Sequence, residues 1–199
     1  MKLNIILLLG ALIVGFAAPH IYQSVKNGSS SQPVAQGSVK QVPIKQVPVA
    51  PVYDVADNEK SVPDIQITTI DNKTMHLSDL LDHKILLNFW ASWCTPCIVE
   101  MPQLLDVATN NPDMFVILLS SDLNEEALMR FVETLPKDQR TQDNVLIAWD
   151  EGGAITRNVF QTYQLPETVM IDDRGILRHK FVGLVDWEDD DILKIIERY

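Results

Sequence analysis

Apolar side chains follow three regimes along this chain. Residues 3–18 form an almost unbroken apolar run, with Asn4 as its exception. From 19 to about 61 the run gives way to Ser, Gln, Val and Pro without a helical or strand period. From Val62 onward, short apolar runs alternate with amphipathic stretches, the signature of strands and helices in turn. Residues 65–70 predict a strand, and Asp71-Asn72-Lys73 a turn into a short second one. Residues 84–90 are nearly all apolar, as expected of a central strand covered on both faces. A helix is predicted over 95–108, a strand over 114–119 and a helix over 124–135. A polar loop at 137–143 leads to a strand over 145–149 and a helix over 154–160. Residues 167–171 and 176–182 predict a hairpin turned by Asp172-Asp173-Arg174-Gly175, and a helix over 187–198 closes the chain. This order predicts one α/β domain, 62–199, with a mixed central sheet flanked by helices.

The first two regimes are appendages to that domain. Sixteen helical residues span about 24 Å, slightly short of a ~30 Å hydrocarbon core. Residues 1–18 therefore read as an uncleaved signal anchor or as a signal peptide cleaved near Ala17, with a buried helix as a third reading. Either of the first two exports the remainder of the chain: an anchor holds it at the cytoplasmic membrane facing the periplasm or cell exterior, whereas cleavage leaves it soluble in the periplasm. Residues 19–61 read as an extended, flexible linker. Lys40-Gln41-Val42-Pro43-Ile44 is nearly repeated in Lys45-Gln46-Val47-Pro48-Val49, and such regular prolines favour an extended chain.

Charge narrows the partners. Residues 62–199 hold 11 basic and 24 acidic side chains, a net of −13, whereas residues 1–61 carry +2. A domain this acidic repels phosphate backbones, which argues against nucleic acid as a partner. The acidic run Glu188-Asp189-Asp190-Asp191 suits the first turn of a helix, where the dipole favours negative charge.

The chemistry sits in Trp93-Cys94-Thr95-Pro96-Cys97, which holds both cysteines of the chain. This motif falls between the predicted buried strand and a predicted helix start. There, unpaired N–H groups and a partial positive charge favour thiolate over thiol. Thiolate is the nucleophile of disulfide exchange. Cys94, at the junction, is expected to be the exposed attacking group, and Cys97, one turn in, the resolving one. A purely structural disulfide is the competing reading, but closing so short a loop yields about 2 kcal/mol, against roughly 4.7 for 100 residues. Two thiolates also suit Cu(I), so a metallochaperone is an alternative. A tetrahedral site would need further ligands, and no Cys or His lies nearby in sequence. His76, His83 and His179 read as surface or packing residues. We expect no metal and no organic cofactor, because the electrons reside in the two sulfurs.

These residues resemble the thioredoxin superfamily, specifically its membrane-anchored TlpA/ResA/DsbE-like thiol:disulfide oxidoreductases. Four segments between 62 and 199 carry the likeness: Leu87-Asn88-Phe89-Trp90-Ala91-Ser92-Trp93-Cys94-Thr95-Pro96-Cys97, Glu100-Met101-Pro102, Leu165-Pro166-Glu167-Thr168-Val169-Met170-Ile171-Asp172 and Gly183-Leu184-Val185-Asp186-Trp187. The resemblance implies a thioredoxin-like fold with an N-terminal hairpin extension and a central insertion. It also implies a cis Leu165–Pro166 peptide packed against the cysteines, with Trp93, Thr95, Pro96, Leu165 and Pro166 forming the substrate surface. Thioredoxin itself has an aspartate six residues before its first active-site cysteine, where this chain has Asn88, which cannot serve as a base. Glu100 is the expected substitute, with Ile98, Val99 and Met101 expected to desolvate it. The implied partners are protein disulfides, among them oxidised apocytochrome c, and a membrane thiol donor for re-reduction. A disulfide oxidase or isomerase would use the same residues with the opposite poise.

Overall fold

A computed structural model of the chain describes residues 52–54 and 60–199. Its strands are β1 (Val52–Asp54), β2 (Gln66–Thr68), β3 (Thr74–His76), β4 (Lys84–Trp90), β5 (Met114–Ser120), β6 (Val145–Trp149), β7 (Glu167–Ile171) and β8 (Leu177–Val182). Its α-helices are α1 (Thr95–Asn110), α2 (Glu125–Val132), α3 (Lys137–Arg140) and α4 (Asp190–Arg198). Six strands form one mixed sheet in the order β1-β8-β7-β4-β5-β6. β4, β5 and β6 run parallel, whereas β7 lies antiparallel to β4 and to β8. β2 and β3 pair as a separate antiparallel hairpin, fastened to the sheet where the Ile70 N–H donates to the Ile147 carbonyl at 2.9 Å.

The continuous apolar run of β4 explains its central place. Ile85, Leu87 and Phe89 enter a core beneath the hairpin with Ile65, Ile67 and Leu77. Leu86 and Trp90 enter the opposite core with Met101, Leu104 and Leu105 of α1, and with Phe181 and Trp187. Every one of these side chains is at least nine-tenths buried, and each such Leu, Ile or Phe contributes roughly 1.5–3 kcal/mol. Position 88 interrupts the second set with a buried asparagine.

The structure departs from the sequence reading in several places. Val52–Asp54, expected as linker, pair antiparallel with His179, Lys180 and Phe181 and cover the outer edge of β8. An uncovered edge leaves N–H and C=O groups without partners, which the extra strand supplies. The loop expected at 137–143 contains the short helix α3. Ala154–Val159 is π-helical rather than α-helical, and its Ile155 and Thr156 N–H groups donate to the Asp150 carboxylate at 3.0 and 2.8 Å. α4 starts at Asp190 because the Asp189 side chain caps it, accepting from the Asp191 N–H at 2.9 Å. Trp187, expected inside that helix, is instead a buried core residue ahead of it. Among the described residues no helix is long and apolar enough to cross a membrane. The apolar run 3–18 and most of the expected linker lie outside the described residues.

Candidate active site

The chain leaves the sheet at Trp90 and turns once before α1. The Cys94 N–H donates to the Ala91 carbonyl at 3.0 Å, closing that turn. Cys94 then occupies the N-cap of α1 with an extended backbone, and its Sγ accepts from the Cys97 N–H at 3.3 Å. Pro96 falls in the first turn, where a missing N–H costs nothing. Cys94 and Cys97 form a disulfide with Cα atoms 5.3 Å apart. Both cysteines are buried, against the expectation of an exposed Cys94: it retains 5% exposure and Cys97 none, so Cys94 is the one nearer the surface. Trp93, Thr95 and Pro96 stand exposed around it.

The turn is held from behind by Asp122, on the loop after β5. Its carboxylate accepts from the Ser92 N–H at 3.0 Å, the Ser92 hydroxyl at 2.7 Å and the Ser120 hydroxyl at 2.7 Å. The Asp122 carbonyl accepts from the Trp149 indole at 2.9 Å. Asp122 was not legible as a site residue. Its one signal was a polar Ser-Ser-Asp sequence ending a strongly apolar strand.

Glu100, one turn beyond Cys97, points into the protein and is fully buried. Its Oε1 accepts from Asn88 Nδ2 at 3.0 Å, and its Oε2 from the Val185 N–H at 3.1 Å. Burial pushes its pKa up to about 7, against the opposing pull of the Val185 N–H, the Asn88 amide and the Trp187 side chain. Two of the three neighbours expected to supply that burial do not. Ile98 and Val99 are exposed on the outer face of α1, and only Met101 turns inward. Asn88 also donates to Thr168 Oγ1 at 2.9 Å, tying β4, α1 and β7 together behind the disulfide. Asn88, Thr168 and Val185 are 12, 68 and 85 positions from Glu100, so no local pattern announces the network.

The Leu165–Pro166 peptide is cis. Leu165 packs against the core cluster that contains Cys94 and Cys97, and the Pro166 carbonyl accepts from the Gly183 N–H at 2.8 Å. The backbone N–H and C=O of Leu165 make no bond within the described residues. Just beyond, buried Glu167 accepts from the Thr162 hydroxyl and pairs with Lys180 at 2.9 Å. The two tryptophans that flank the turn before α1 differ in placement. Trp93 is exposed, whereas Trp90 is buried with its ring 5.1 Å from that of Phe131. Among the described residues no three His, Cys, Asp or Glu side chains are grouped to hold a metal ion.

A thioredoxin-like sheet with a vicinal cysteine pair capping its first long helix defines a thiol-redox domain, and comparison with known proteins makes the assignment specific. The Redoxin family matches residues 57–196, and the chain belongs to that family, in its TlpA/ResA/DsbE-like branch of the thioredoxin superfamily. It is 33% identical over 135 residues to the thiol:disulfide interchange protein DsbE of Pseudomonas fluorescens biotype C, covering 66% of this chain and 71% of that one. It is 29% identical over 126 residues to the thiol-disulfide oxidoreductase ResA of Bacillus cereus, covering 62% and 69%. In fold it is similar to the putative DsbE of Chlorobium tepidum, with a TM-score of 0.63, 22% identity, and coverage of 71% and 96%. The chain is an oxidoreductase.

Proposed function

We propose that this protein is an extracytoplasmic thiol–disulfide oxidoreductase, tethered through residues 1–18, that reduces disulfides in other proteins. The observation that carries the reading is the disulfide at the start of α1, with Cys94 at the helix cap and nearer the surface than fully buried Cys97. In its reduced form, the Cys94 thiolate attacks a substrate disulfide, forming a mixed disulfide and releasing one substrate thiolate. The Cys97 thiolate then attacks Cys94 Sγ, which closes the Cys94–Cys97 disulfide and releases the second substrate sulfur. Two electrons pass to the substrate. Glu100 takes the Cys97 proton; a carboxyl with a pKa of about 7 suits that work near neutral pH. The free backbone of Leu165 offers an extended substrate segment a donor and an acceptor beside the sulfurs.

Outside the cytoplasm no soluble thiol pool maintains the reduced form, so the cycle requires a membrane thiol donor. The likeness to DsbE and ResA supports oxidised apocytochrome c as substrate. Cys94→Ser is expected to abolish disulfide exchange, and a variant retaining full activity would overturn the reading. Electron direction is tested by the reduction potential of the pair. A reductase lies below the glutathione couple, and a value above it reassigns the protein as an oxidase or isomerase.

A further inference from the structure

Beside the sulfur pair lies a pocket of about 270 Å³ that the exchange chemistry leaves unused. Its rim is apolar and open to solvent: Trp93, Leu123 and Tyr163 are 65%, 91% and 82% exposed. Six large hydrophobic residues are exposed among the described residues, and three of them border this one concavity. Scattered exposed apolar groups are ordinary, but a convergent set on a concave surface marks a partner's place.

Apart from Leu165, the rest of the pocket is bare backbone and hydrogen-bonded polar side chains. Gly152 and Gly153 both have positive φ, and a Cβ at Gly152 would meet nothing within 4 Å. Arg157 donates to the Gly152 carbonyl. Thr156 is fixed from two sides, since its N–H donates to Asp150 and its hydroxyl lies 3.0 Å from that of Ser121. The cavity is therefore preformed under a rim of free side chains.

Pocket and exchange site share Trp93 and Leu165. A polypeptide pairing in extended form with the Leu165 backbone projects its side chains alternately to either side. We propose that the pocket is a specificity subsite for a bulky apolar side chain of the substrate polypeptide, within two residues of the cysteine under attack. This rests on the oxidoreductase reading above and names the substrate feature it selects.

The test is single-turnover reduction, by the pre-reduced full-length protein, of two peptides that differ only beside the disulfide. One carries Trp at the two positions flanking its first cysteine, the other Ala. A hydrophobic pocket gains about tenfold or more from one well-buried methylene, so the Trp peptide is expected to react at least tenfold faster. In the double variant Leu123→Ala with Tyr163→Ala that ratio falls below threefold. Both side chains project into solvent, so their truncation leaves the core untouched. Equal rates for the two peptides in the unaltered protein, or a ratio the double variant preserves, overturn the subsite. Failure of the unaltered protein to reduce either peptide or hydroxyethyl disulfide overturns the oxidoreductase reading itself.

Discussion

Asn88 is polar at a position of β4 whose neighbours on the same face, Leu86 and Trp90, lie in the apolar core. Its amide group donates at once to Glu100 Oε1 and Thr168 Oγ1, and the first bond favours the charged form of Glu100 against the burial that opposes it. Asn88 is thus a positioning residue for the proposed base. Asn88→Ala removes a donor from the carboxylate and so raises the Glu100 pKa above its value of about 7. If Glu100 accepts the Cys97 proton, the midpoint of the pH profile of kcat/KM moves to higher pH. Activity at pH 7 then falls by about fivefold and recovers near pH 9, on the scale of a lost hydrogen bond to a charged group. Recovery at high pH separates this from a packing defect, which would lower the rate at every pH. An unmoved midpoint would contradict the role.

At the scale of elements, π-helical Ala154–Val159 shows how a side chain decides what periodicity leaves open. Helical spacing was legible there, but the winding follows from Gly152 and Gly153 with positive φ and from Asp150, which takes two N–H groups at the start of the turn. Asp150→Ala leaves both donors without that partner. It is expected to cost about 1–2 kcal/mol in urea unfolding and to speed hydrogen exchange at Ile155 and Thr156. Normal protection at these two amides would show that the turn holds without its cap. The same contrast runs through the fold. β4, β5, β7 and the cysteine-bearing start of α1 were legible because apolar runs, a turn sequence and C-x-x-C spacing are local signals. The pairing of β1 with β8 was not, because it joins positions more than 120 residues apart. Asp122 clasping Ser92 and Val185 reaching Glu100 are likewise partnerships across sequence distance, and nothing in either partner's neighbourhood encodes them.

For the whole molecule, the buried Glu100 couples stability to pH with a definite sign. In the unfolded chain this carboxyl titrates near its ordinary value of 4.5, and in the folded protein near 7. Between these values the folded state holds a proton that the unfolded state has released, so stability falls as pH rises through this window. Below about 4.5 both states are protonated and the group exerts no pull. Above about 7 both are ionised, and the folded state bears the full cost of a buried charge, about 3 kcal/mol from the separation of the two values. The domain's other carboxylates and its histidines also titrate, so a single curve would mix their effects. Comparison with Glu100→Gln isolates the group, because the amide stays neutral throughout. Urea unfolding of both oxidised proteins from pH 4.5 to 8 should show the stability of the unaltered protein, minus that of the variant, declining by about 3 kcal/mol. The fall should centre between the two titration points, whatever constant offset the lost acceptor introduces. A difference that stays flat across the window would mean that Glu100 ionises at its ordinary value, which would remove it as the proton acceptor for Cys97.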